Sequence, residues 1–312
     1  VEYIPLRSRQ RLFHGNLSSF SVWHTLHQHV KERPPLRAGH RLVTLHDLNY
    51  LYGPKGSNWT HSQELMEKIA ARTDGIVTIS QHVAEDVRRH LNWTAPLKVV
   101  YNGARSLVDH PREQIPEVAG KPFFFHLSRM APSKNIDALL GLAIEMRDQR
   151  FVLAGPSSDD TERVKGLVRG LSLRNVLVYE DITDAQKTWL YENAQAFLFP
   201  SLTEGFGLPP IEAMHFGCPV FLARRTCLPE IGGEAAAYWD EFDSLAMRAV
   251  VERELPRLAS DEGRARTRAH AARFDWDRCI EDYIATYLDI LRKRSPLALG
   301  LASSDTPQAG RL

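Results

Sequence analysis

Short runs of β-branched and aromatic residues alternate with longer stretches whose apolar side chains recur every three or four positions. Residues 41–45 (RLVTL) read as a buried strand that ends in His46-Asp47. Residues 62–72 follow as a helix, with Leu65, Ile69 and Ala70 on one side. Residues 75–80 (GIVTIS) form the next strand, and Ser80 stands where a helix N-cap belongs, ahead of 83–91. Residues 98–101 are a third strand, closed by the turn dipeptide Asn102-Gly103. Upstream, 18–29 reads as a helix, with Phe20, Trp23 and Leu26 broadly on one side. The Pro-containing stretch 105–122 reads as a linker.

A second alternation begins at residue 123. Strands fall at 123–127, 151–154, 176–179, 196–199 and 219–222. Helices fall at 135–147, 160–171, 185–193 and 209–215. Strand–helix alternation builds βαβ units and parallel sheets. The expected fold is therefore α/β, with two Rossmann-like doubly wound domains. The expected division is a first domain at 1–104, a second at 105–276, an amphipathic helix at 277–294 and a disordered tail at 295–312. Residues 1–40 supply no strand, glycine turn and helix, so the first domain reads as truncated at its start.

The 312 residues are 43% hydrophobic and 25% charged, the composition of a globular protein. No apolar run approaches the ~20 residues that span a bilayer. Cys218, Cys227 and Cys279 show no metal-binding spacing. Residues 1–104 carry 13 Lys/Arg against 8 Asp/Glu, the remainder 26 against 30. That asymmetry suits an anionic partner for the first part, such as a membrane face. No basic run is interleaved with aromatics, which argues against nucleic acid. The expected location is the cytoplasm, with a peripheral contact at the inner membrane face.

The window 199–218 (FPSLTEGFGLPPIEAMHFGC) holds the densest chemistry. A strand leads through a glycine-containing loop into a helix that starts at a proline. Such a helix start favours phosphate, and Gly205 and Gly207 allow a ligand close to the backbone. Glu212 can bridge two vicinal hydroxyls, with Glu204 toward the reacting end.

This spacing resembles the E-x7-E signature of retaining nucleotide-sugar glycosyltransferases of GT-B fold, glycosyltransferase family 4. The resemblance runs from about Arg41 to Leu291 and implies a fold of two Rossmann-like domains facing a cleft. It implies donor-binding roles for Arg129 and Lys134 (in FHLSRMAPSK), Ile182, Gly205, Phe206, Gly207, Leu208 and Glu212. It implies catalytic roles for His46, in TLHDL, and Glu204. The family commonly has Gly where this chain has Glu180. The implied donor is a nucleotide-diphosphate sugar, with neither metal nor cofactor, and the implied acceptor is a glycan or lipid-linked hydroxyl in bacterial polysaccharide synthesis. The alternatives are a sugar-nucleotide epimerase of similar fold, or a non-catalytic nucleotide-sugar-binding subunit. Asp275-Trp276-Asp277 fits a metal-binding DxD pattern but reads better with Asp277 as a helix cap. His24, His27 and His29 read as a helix face, and the sequons at Asn16, Asn58 and Asn92 as coincidence.

Overall fold

The computed structural model describes residues 20–29, 38–53, 57–91 and 93–292. The first lobe runs β1 (Phe20–Thr25), β2 (Ala38–Leu45), α1 (Ser57–Ala70), β3 (Gly75–Thr78), α2 (Gln81–His90) and β4 (Leu97–Val99). Its strands pair in the order β1-β2-β3-β4, all parallel. Val43, Leu45 and Ile76 form a core with Met66 of α1 and Val83 and Val87 of α2.

The second lobe runs β5 (Phe123–Leu127), α3 (Ile136–Glu145), β6 (Arg150–Gly155), α4 (Asp159–Gly170), β7 (Val176–Glu180) and α5 (Asp184–Asn193). It continues through β8 (Ala196–Phe199), α6 (Leu208–His215), β9 (Val220–Ala223), α7 (Leu228–Gly232) and β10 (Ala237–Trp239). Then come α8 (Ser244–Ala259), α9 (Asp261–Ala271) and α10 (Trp276–Arg292). Its six parallel strands lie in the order β10-β9-β8-β5-β6-β7. The strands are apolar on both faces because both faces are covered. Phe124, Phe151 and Leu198 point into a core with Leu139 and Met247. Phe123, Phe125 and Phe197 point the other way, toward Ile211 and Met214.

The chain winds outward in both directions from β5, which lies between β6 and β8. Loops leaving the carboxyl ends of β5 and β8 diverge there and leave a crevice, where open α/β sheets hold ligands. The helix α10 reaches the first sheet through its tyrosines. His24 on β1 bonds the Tyr287 hydroxyl (2.7 Å) and Thr44 Oγ1 (2.8 Å), and Thr44 bonds the Tyr283 hydroxyl (3.1 Å). Burial lowers the His24 pKa to about 4, so the ring is neutral.

Four local expectations change. Residues 20–25 are strand, not helix. A stretch this short fits both periods, and parallel pairing of Phe20–Thr25 with β2 suits its Phe, Val, Trp and Thr. His24, expected on a helix face with His27 and His29, therefore lies on a strand. The helix cap ahead of α10 is Asp275, whose Oδ1 accepts the Arg278 N–H (2.8 Å); Asp277 is already inside the helix. The stretch read as a linker buries Leu107, Ile115 and Val118. The sequons at Asn16 and Asn92, the expected tail 295–312 and residues 1–19 lie outside the described residues.

Candidate active site

The loop after β5 is shaped from beneath by His126. Its Nδ1–H donates to the Leu198 carbonyl of β8 (2.7 Å), which fixes the tautomer, and Nε2 accepts from Ser128 Oγ (2.7 Å). Ser128 Oγ in turn accepts the Met130 N–H (3.0 Å). This chain bolts β5 to β8 and turns the backbone at Met130, whose φ is +55°. Full burial lowers the His126 pKa to about 4, so it stays a neutral bridge. His126 was not legible as a site residue, because a histidine within FFFHL reads as strand core. The serine two positions on is the only local signal.

Arg129 emerges exposed from this turn and forms no ion pair with any described residue. Lys134 ends the short 3-10 turn Pro132–Lys134. Its ammonium pairs with Glu204 Oε1, which also accepts from Ser201 Oγ (2.7 Å). The side chains of Lys134 and Glu204 are only 12% and 14% exposed. Ser133 ties the two loops together, since its carbonyl accepts the Leu202 N–H (2.8 Å) and Ser201 Oγ (3.2 Å).

Gly207 takes φ +100° ahead of α6, and no side chain caps that helix. A left-handed turn of this kind suits glycine. Pro209 and Pro210 have no N–H to satisfy, and the start of α6 presents its partial positive charge toward the crevice. Leu208 is exposed, whereas the Phe206 ring is buried against Tyr101 and Phe274 and packs in the core. Glu212 lies one turn into α6. It accepts from the Tyr191 hydroxyl (3.0 Å), has Lys187 Nζ at 3.8 Å, and has its pKa raised, first by burial.

A cavity of about 360 Å³ opens beside these groups. Leu127, Pro156, Ile182 and Pro209 give it flat apolar walls, and Arg129, Asp184 and Lys187 its charged rim. Arg129 and Ile182 thus face one space. Glu180 is turned to Lys165 of α4 (2.5 Å). Among the described residues no group of three or more His, Cys, Asp or Glu could hold a metal ion.

From the first lobe, His46 stands at the end of β2. Its Nε2–H donates to the Leu26 carbonyl (2.8 Å), leaving Nδ1 with the lone pair, and its ring stacks on His27 at 4.6 Å. Its backbone carbonyl meets the Gly205 loop so closely that a Cβ on Gly205 would collide with it.

Two Rossmann-like lobes with parallel sheets, the second carrying such a crevice, define the GT-B class of glycosyltransferases. The chain belongs to the glycosyl transferases group 1 family, whose model matches residues 109–239. It is 30% identical to O-antigen chain mannosyltransferase B of Escherichia coli, over 81% of this chain and 71% of that protein. It is 29% identical to the serotype-specific mannosyltransferase WbdA of Escherichia coli, over 77% of this chain. The match spans about a third of WbdA, 32% of its length. Among solved structures, sucrose-phosphate synthase of Thermosynechococcus elongatus superposes with a TM-score of 0.70 at 20% identity, covering 88% of this chain and 74% of that one. No described helix is long and apolar enough to cross a membrane.

Proposed function

We propose that this chain transfers mannose from a nucleotide-diphosphate mannose to an acceptor hydroxyl of a bacterial polysaccharide or its lipid-linked precursor, with retention of anomeric configuration. The observation that carries this reading is the pairing of Lys134 with Glu204 where the β5 and β8 loops meet, with Arg129 of the same β5 loop forming no ion pair with any described residue. Arg129, Lys134 and the start of α6 form a cationic cradle for a diphosphate, with Gly205 and Gly207 allowing close approach. The base lies against Ile182 and the ribose hydroxyls against Glu212. The names of both Escherichia coli relatives support mannose as the sugar.

In this reading the bond between the anomeric carbon and the leaving phosphate oxygen breaks. The acceptor oxygen bonds the same face, and its proton passes to the departing phosphate. The cradle takes up the charge that builds on the leaving group, so no metal is needed. Glu204 and His46 orient the sugar while its ring carries oxocarbenium-like charge. The division of the chain at 104/105 and 276/277 belongs to the same proposal, as does a peripheral membrane contact through the basic first lobe. The names of the relatives support transfer over epimerisation or binding alone. Incubation with GDP-mannose and membrane-extracted acceptor lipid, followed by NMR of the product, tests the reading. An α-linked mannoside is expected; a β-linked product contradicts it.

A further inference from the structure

The amino terminus of α2 is held by a residue of the other lobe. Glu230 on α7 accepts the Gln81 N–H at Oε1 (2.7 Å) and the His82 N–H at Oε2 (3.1 Å). A carboxylate facing two free N–H groups at a helix start is a charge-assisted pair aligned with the helix dipole. Tyr101 lines the same small cavity as Glu230, and burial first, then this neighbouring carboxylate, raises the Tyr101 pKa. One residue before Gln81, Ser80 caps α2 by accepting the Val83 N–H (3.2 Å), and its hydroxyl donates to the Gly205 carbonyl (2.9 Å).

Glu230 also stands at the end of a segment that supports the Gly205 loop from behind. Thr226 Oγ1 accepts the Glu204 N–H (3.1 Å), and Cys227 Sγ lies 3.2 Å from both the Glu204 and Phe206 carbonyls. The stretch 226–230 thus grips the loop at one end and α2 at the other. With the Ser80–Gly205 bond it closes a ring of contacts through both lobes.

We infer that Glu230 is a positioning residue: by clasping the start of α2 it sets the register in which the first lobe presents His46 to the Glu204–Gly205 loop. The inference rests on the proposed function for its catalytic consequence, and on the contacts alone for its mechanical one. Diphosphate binding, assigned to the second lobe, does not need the clasp; transfer, which uses both lobes, does.

The test measures the distance between spin labels at Arg89→Cys on α2 and Glu252→Cys on α8, two exposed sites; the native cysteines are buried. Glu230→Ala is expected to add a longer-distance population in the free protein. Glu230→Gln, which keeps one carbonyl acceptor, is expected to fall between. With GDP-mannose as donor, Glu230→Ala should lower kcat by about ten- to a hundredfold and leave the donor Kd within about twofold. Substitution of the exposed neighbour Glu234→Ala should change neither. Distances in Glu230→Ala that superimpose on wild type overturn the inference. So does unchanged turnover, or a donor Kd that rises as far as kcat falls. A wild-type chain that neither binds GDP-mannose nor transfers overturns the proposed function instead, and the label distances then decide the clasp alone.

Discussion

Gly205 rests against the backbone carbonyl of His46, with no room between them for a methyl group. These residues follow strands of different sheets, and their contact joins the loop after β8 to the end of β2. Replacement of Gly205 by Ala must push the lobes apart or distort the loop. Turnover is expected to fall about a hundredfold, since misplacement near 1 Å costs that much. Calorimetry separates the two roles of Gly205: nucleoside diphosphate binding to Gly205→Ala within about twofold of wild type puts the loss at the His46 contact, and its disappearance puts it in the cradle.

The Lys134–Glu204 pair is mostly buried, so loss of either partner strands the other charge. Lys134→Ala and Glu204→Ala should each lower stability, by up to about 3 kcal/mol for pairs of this burial. The double variant should recover part of that loss. Turnover should fall roughly a hundredfold in all three, as for loss of an oxyanion-stabilising group. Urea unfolding together with steady-state rates separates the two effects; recovery of turnover in the double variant would mean that the pair is only structural.

His24 and His126 both titrate near pH 4 in the folded chain, well below the usual 6.5, because they are buried. The unfolded chain therefore binds more protons between those values, and stability falls as pH drops through that window. Each should contribute a loss of roughly 2 kcal/mol by pH 5, and none above about pH 7. Denaturation midpoints at pH 7, 6 and 5 check this. His24→Asn should flatten the profile, and an unchanged slope would exclude His24 as a source.

Much of the second lobe could be read from its sequence, because its strands are unbroken apolar runs such as FVLA and AFLF, and its glycines and prolines punctuate them. The window around Glu204 and Glu212 concentrates two carboxylates, two glycines and a helix start within a few residues. Contacts joining distant segments left no such mark: Ser80 with Gly205, and Glu230 with Gln81, are separated by 125 and 149 positions. His126 was hidden by its apolar neighbours. The strand Phe20–Thr25 was missed because its partner β2, not its own period, decides its conformation.

In the proposed reading Arg129, Lys134 and the start of α6 supply the positive charge a metal would, so a chelator should leave mannosyl transfer unchanged. Rates with and without EDTA after dialysis decide this. A loss restored by magnesium or manganese would contradict the cradle as sole charge stabiliser.

The most direct measurement is calorimetric titration of GDP-mannose into wild type, Arg129→Ala and Lys134→Ala at equal ionic strength. Saturable one-to-one binding to wild type, weakened at least about tenfold in each variant, is the predicted result. Equal affinity in all three would contradict a diphosphate seated between the β5 and β8 loops.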